Sequence, residues 1–268
     1  MEQESVWLGS FRKPIRLGMI GFGGLTLILF AILILNQFIS ADAVGMHEMI
    51  RPAGRPIVLV TLVSLALALL FASLFLSDDK GAIEPERDGF FDILSLVCSR
   101  LAMMSIAFIV IVMFYEVVSR YVFSRPTLWA NELSLWIASF VFLLAGLYAM
   151  QQRSHIRIYV IYDMMPRWMQ KAADVISVFL IWVFTFALIW GGYNDALRRM
   201  LRMETFGTAW DPPIPGTLKP ALLFIILLVA IQALSNLIAD WNKEPEVHTD
   251  EPDEAEIEAL RRTLEDPK

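Results

Sequence analysis

Apolar positions in this chain come in unbroken runs, not at every third or fourth place. Six such runs stand out, at about 17–40, 57–77, 101–123, 129–150, 173–193 and 218–241. A helix facing water interleaves polar residues so that one stripe is wet. These runs do not: Leu133 to Met150 carries no charge over 18 residues. At roughly 1.5 Å per residue, such a length crosses most of a hydrocarbon layer about 30 Å thick. The pattern predicts an all-α, polytopic membrane protein with about six transmembrane helices. The third and fourth spans are joined by only a few polar residues around Pro126, which makes them antiparallel neighbours.

Composition sharpens this picture. Of 268 residues, 57% are hydrophobic and 19% charged, with a mean hydropathy of +0.57. Ordinary soluble domains are nearer 45–50% apolar and about 25% charged. The net charge of −6 is carried by the stretch from Lys243 to Lys268, with ten acids and four bases, so the rest of the chain sums to zero. The acidity therefore says nothing about a substrate. The single cysteine, Cys98, rules out an intrachain disulfide and a cysteine metal cluster, and it reads as a small buried hydrophobe.

Taken in order, Arg12, Lys13 and Arg16 precede the first run, which is too long for a signal-peptide core of about 7–15 residues. It reads as an uncleaved helix. Gly18, Gly21, Gly23 and Gly24 either thin its start for close packing or are glycines of no special use in a membrane helix. The first two spans, in residues 1–80, propose no chemistry. The polar stretch 78–92 is the best internal boundary, and Phe90 to Val97 then suggests a short helix on the membrane surface leading into the third span. The sixth span is expected to begin at Leu218, with Pro220 in its first turn. Gln232 and Asn236 share one face of it and suit hydrogen bonds between helices. The tail 243–268 is acidic, with Ile257, Leu260 and Leu264 spaced for a short amphipathic turn.

Six crossings put both termini on one side. That side carries ten Lys and Arg residues against eight on the other, excluding the tail, which with the basic cluster before the first span places the termini in the cytoplasm. The charges near the membrane are few. Glu116 and Arg120 are four apart on one helical face, and Glu132 follows across the hinge, so one arginine is expected between two carboxylates, with Pro126 and Trp129 beside them. Such a cluster either pins two helices together or forms a cation or proton site. Arg153, His155 and Arg157 alternate at the inner end of the fourth span, and Trp129, Trp136, Trp168 and Trp210 fit the aromatic belts at the two interfaces. All three histidines lie outside the spans, where they could not ligate a haem inside a membrane anchor. Hydrolase, zinc-protease and nucleotide-binding motifs are absent, no basic patch suits nucleic acid, and no cofactor is expected. The apolar midplanes and lack of an internal repeat argue against a self-sufficient carrier. A scaffold for another subunit fits better than a channel using Glu116 and Glu132, and an anchor or assembly subunit of an unrelated complex is the main alternative.

Specific residues carry a resemblance. The run Arg120-Tyr-Val-Phe, Pro126-Thr-Leu-Trp129, Glu132, Gly146 and Arg153-Ser-His155-Ile156 resembles the small DctQ-type permease subunit of tripartite ATP-independent periplasmic (TRAP) transporters. The later Ala209-Trp210-Asp211-Pro212-Pro213, Pro215, Lys219-Pro220 and Leu228 to Leu234 are similar to one branch of it. The resemblance covers about 90–242 and implies a four-helix DctQ-like core, to which residues 1–80 add two helices. Tyr159 departs from the pattern, where an aspartate is expected after the His-Ile pair. The resemblance implies a bacterial inner-membrane protein without enzymatic activity. Its partners would be a large DctM-type permease subunit, a DctP-type periplasmic solute-binding protein and membrane lipid. The complex would drive uptake of an organic acid or related solute with sodium. The hinge residues would then orient the third and fourth spans, and Trp210, Asp211, Pro212 and Pro213 would sit in a docking loop.

Overall fold

A computed structural model of the chain describes residues 5–40, 42–51, 55–79, 89–153, 162 and 164–242. His155, Arg157, Tyr159, most of the polar stretch after Asp79 and the tail from 243 lie outside the described residues. The helices are α1 (Arg12–Ile39), the single turn α2 (Met46–Met49), α3 (Pro56–Leu76), α4 (Phe90–Tyr121), α5 (Ala130–Gln151), α6 (Arg167–Leu201) and α7 (Ile214–Asp240). All but α2 are long and apolar enough to cross a membrane. Packing runs α1 on α3, α3 on α4, α4 on α5, α5 on α7 and α7 on α6, and α4 also touches α7.

The distribution of side chains is the reverse of a soluble protein's. Trp190, Phe38 and Phe142 are 90%, 84% and 79% exposed on the outside of the bundle. The buried positions include Thr26, Thr61, Ser64, Ser73, Ser95, Ser99, Glu116, Thr185 and Gln232. Lipid tails are as apolar as leucine, so burying leucine against leucine gains little there. Small and hydrogen-bonding residues hold helices together instead. With six such helices, the chain is a multi-pass membrane protein.

The α1–α3 pair illustrates this. A β-carbon at Gly18 would stand 2.9 Å from the Phe71 ring, so glycine here permits the close approach, and Phe71 stacks on Phe22 at 5.6 Å. Gly21, Gly23 and Gly24 face open space, so only one of the four glycines in this turn of sequence is required by packing. Midway along, the Thr26 hydroxyl donates to Ser64 Oγ at 3.0 Å. At the terminal end, Asp78 is fully buried and gathers the N-terminal segment. Its Oδ1 accepts from the Ser5 hydroxyl and from the Val6, Trp7 and Leu8 amides at 2.9–3.1 Å, and its Oδ2 pairs with Arg12 at 2.9 Å.

Two expectations about helix ends change. The surface helix at 90–97 is not separate, because α4 runs without a break from Phe90. Asp92 and Ser95, within the stretch expected to lie on the membrane surface, are buried. Ser95 donates to Gln232 Oε1 at 2.9 Å, and Gln232 Nε2 donates to Asp92 at 2.6 Å and to Asn236 at 2.9 Å. Asn236 in turn donates to the Met150 carbonyl at 2.7 Å, so one network ties α4, α5 and α7. The second change concerns α7, which starts at Ile214 with Pro215 in the first turn and Pro220 in its interior. The Thr217 amide and hydroxyl both donate to the Pro213 carbonyl, which begins the helix a turn earlier than Pro220 suggests.

The carboxyl of Asp78 lies outside the spans. Burial acts to raise its pKa, but the amides of Leu8 and Trp7, the Ser5 hydroxyl and Arg12 outweigh it and hold it below the usual carboxylate range. A lowered value means the stabilisation is complete above the ordinary carboxyl pKa of about 3.9 and fades only as pH falls through the lower folded value. Protection of the Val6 to Leu8 amides from hydrogen exchange, corrected for intrinsic rates, is therefore expected to be constant from pH 8 to about pH 5. Asp78→Ala should abolish that protection at neutral pH, since an amide left buried without an acceptor costs about 1–3 kcal/mol.

Candidate functional site

The face opposite the termini is formed by three connections, residues 40–55, 122–129 and 202–213. Each begins where a helix runs out of internal acceptors and donors, so each needs partners for its freed backbone groups.

Glu116 supplies them for the middle connection. It is buried in the last turns of α4. Its Oε1 accepts from Arg120 Nε at 2.9 Å and from Arg120 Nη2, and its Oε2 accepts from the Thr127 amide at 2.9 Å and from the Thr127 hydroxyl. The Arg125 amide donates to the Ser119 carbonyl at 2.9 Å, and the Ser119 hydroxyl donates to the Arg125 carbonyl at 2.5 Å. Between them Ser124 takes the left-handed φ of 54° that ends the helix. Trp129 stacks on Tyr115 at 5.8 Å, and its carbonyl opens α5 by accepting the Leu133 amide. Pro126 is exposed.

The expected cluster of one arginine between two carboxylates does not form as such. Glu116 and Arg120 pair, but the bond described for Glu132 is to the next connection, whose Thr208 hydroxyl donates to Glu132 Oε2 at 2.6 Å. Glu116 and Glu132 therefore do different work. One closes a hinge, and the other ties that hinge to residues 202–213.

The 202–213 connection is also built on a carboxylate. Asp211 Oδ1 accepts the Gly207 amide at 2.7 Å, and Phe206 donates to the Pro212 carbonyl at 3.0 Å. Gly207, at φ 80°, takes a conformation that a side chain would strain. The Gly207 amide is the main reason the Asp211 carboxyl sits below its usual range, with Thr205, Arg51 and Thr208 acting the same way against partial burial. Arg199 pairs with Asp195 at 3.0 Å and with Glu204, and Lys219 pairs with Asp195, which fastens both ends of the loop. Trp210 is not an interface side chain lying in the headgroups but is buried, only 4% exposed. Its indole N–H donates to the Met46 carbonyl at 2.9 Å, and Arg51 reaches Asp211 at 3.4 Å. Pro212 and Pro213 are buried beside it.

Arg153 belongs elsewhere. At φ 54° it ends α5 on the terminal side and forms two hydrogen bonds with Asp240, at 2.6 and 2.8 Å. His155 and Arg157 fall among residues that the structure does not describe. The sequence did not single out Thr127, Thr208, Gly207, Asp195 or Met46. Gly207 and Asp211 before two prolines carried a turn signal. Thr127 and Thr208 lie 11 and 76 positions from their carboxylates, which no helical period reveals.

Removing a carboxylate that serves a buried amide should cost more than removing one that serves an outer hydroxyl. In detergent, Glu116→Ala is expected to lower the thermal midpoint by several degrees and Glu132→Ala by clearly less. Equal losses would contradict the division of labour above.

No curated protein matches the sequence. The family described as "Tripartite ATP-independent periplasmic transporters, DctQ component" matches residues 109–243, just over half of the chain, taking in the last part of α4 and all of α5, α6 and α7. The chain therefore belongs to the DctQ family of TRAP transporter components.

Proposed function

We propose that this chain is the small permease subunit of a TRAP transporter. In this reading it braces the large permease subunit and lends the face described above to docking of the soluble solute-binding protein. The complex takes up an organic acid or a related solute with sodium. The family match carries the reading. The bundle is consistent with it in two ways. Its buried polar side chains are mostly spent on bonds between and within helices, as in the Asp92–Gln232–Asn236 network. Its ion pairs Glu116–Arg120 and Asp195–Lys219 sit near helix ends, where solute passing through the midplane would not meet them.

The same reading sets the chain in the bacterial inner membrane with both termini cytoplasmic and the three connections periplasmic. The basic residues Arg12, Lys13 and Arg16 before the apolar part of α1 support that orientation. It treats residues 1–80 as a two-helix addition to a four-helix core, and the hinge cluster as structural.

Liposomes holding this chain alone are expected to show no sodium-driven uptake, whereas liposomes holding it with its large subunit and binding protein should. Uptake by the chain alone would overturn the scaffold role, and recovery of a soluble redox enzyme as its stable partner would favour an anchor. Within the assembled complex, Glu132→Ala should lower yield or uptake while leaving membrane insertion intact. Normal assembly and uptake in that variant would remove Glu132 from the working face.

A further inference from the structure

Helices α1 and α3 and the turn between them lie outside the residues that the family matches, yet the turn is bonded to a loop inside the match. The turn has supports of its own. Val44 is buried and packs with Leu33 and Val58, and its carbonyl accepts from Gln37 Nε2 at 3.3 Å. The Gly45 amide donates to Glu48 at 2.5 Å, which caps α2 just where Met46 begins it.

The loop that it meets has a firm stem and a lightly held crest. In the stem, the Phe206 amide donates to the Pro212 carbonyl at 3.0 Å and the Gly216 amide to the Glu204 carbonyl at 3.1 Å. A β-carbon at Gly216 would stand 2.9 Å from the Glu204 amide nitrogen, so the two ends of the loop are pressed backbone to backbone. Among the described residues, three side-chain contacts reach from 208–211 beyond the loop. They join Thr208 to Glu132, the Trp210 indole N–H to the Met46 carbonyl at 2.9 Å, and Asp211 to Arg51 at 3.4 Å. Two of these three partners belong to the turn. Asp211 takes a left-handed φ of 59°, which a residue with a side chain keeps only where its surroundings hold it. A largely buried indole needs a partner for its N–H, and here the partner lies in residues 1–80.

We infer that the N-terminal helix pair serves as a strut for the 202–213 loop: the turn that carries Met46 and Arg51 keeps residues 208–211 in their described shape. With α3 packed on α4, the strut runs from the first helix of the matched core to the connection between its last two. This role concerns the loop itself and does not rest on what the loop meets.

The test is hydrogen exchange of the full chain in detergent, read at the Phe206 and Gly207 amides, whose acceptors lie within the loop. Glu48→Ala removes the acceptor of the Gly45 amide, a bond confined to the turn. Trp210→Phe keeps an aromatic ring but removes the N–H that reaches Met46. Each variant is expected to speed exchange at 206 and 207 at least about fivefold. The Gln152 amide, which ends α5 on the terminal side, should exchange as before. Because both substitutions act on one link, the double variant should exchange little faster than Trp210→Phe alone. Unchanged exchange at 206 and 207 in either single variant would overturn the strut, and so would effects that multiply in the double variant. Faster exchange at Gln152 as well would reveal a general loosening of the bundle and overturn it equally.

Discussion

A backbone amide outside the regular bonding of a helix needs an acceptor of its own, and in this chain the acceptor is repeatedly a carboxylate. Asp78 takes three consecutive amides of the N-terminal segment, Glu116 takes Thr127, Asp211 takes Gly207 and Glu48 takes Gly45. Each acid is also near an arginine or a hydroxyl that shares its charge, as Arg12 does for Asp78 and Arg120 for Glu116. Ionised acceptors make stronger bonds than neutral ones, and two oxygens can serve several donors. Short connections between long helices can therefore be fixed at the membrane edge with only a small apolar core, such as Val44 with Leu33 and Val58.

The middle of the bundle works by a different rule. There Thr26 donates to Ser64, hydroxyl to hydroxyl, while the network of Gln232 with Asp92, Ser95 and Asn236 lies toward the terminal-side ends of α4 and α7. Ion pairs gather at the two ends: Arg12, Asp78 and Arg153–Asp240 on one side, Glu116, Asp195 and Asp211 on the other. Most of the bundle's ion pairs are thus kept toward the ends of its helices.

Much of the fold was legible in the sequence because a run of some 20 apolar residues has few other uses. Helix existence was plain, and so was the face shared by Gln232 and Asn236, which does bond across to α4 and α5. Helix ends were less legible, since Asp92 and Ser95 look the same whether they meet water or Gln232, and Pro220 looks like a first-turn proline although Pro215 holds that place. The pair Glu116–Arg120 was readable from its spacing of four. The partners Thr127 and Thr208 were not, and Trp210 sat in the wrong environment, because the contacts that decide these positions come from distant parts of the chain.

Helix α6 has 35 residues and would extend about 50 Å, well beyond a hydrocarbon layer of about 30 Å. It rests chiefly on α7, while Phe179, Phe184, Phe186 and Trp190 look outward. Such a rod can satisfy its length only by leaning or by standing proud of the bilayer at both ends, where Asp174 and Asp195 mark the limits of its greasy part. Its inclination, and with it the height of the 202–213 loop above the membrane, is thereby coupled to the thickness of the surrounding lipid.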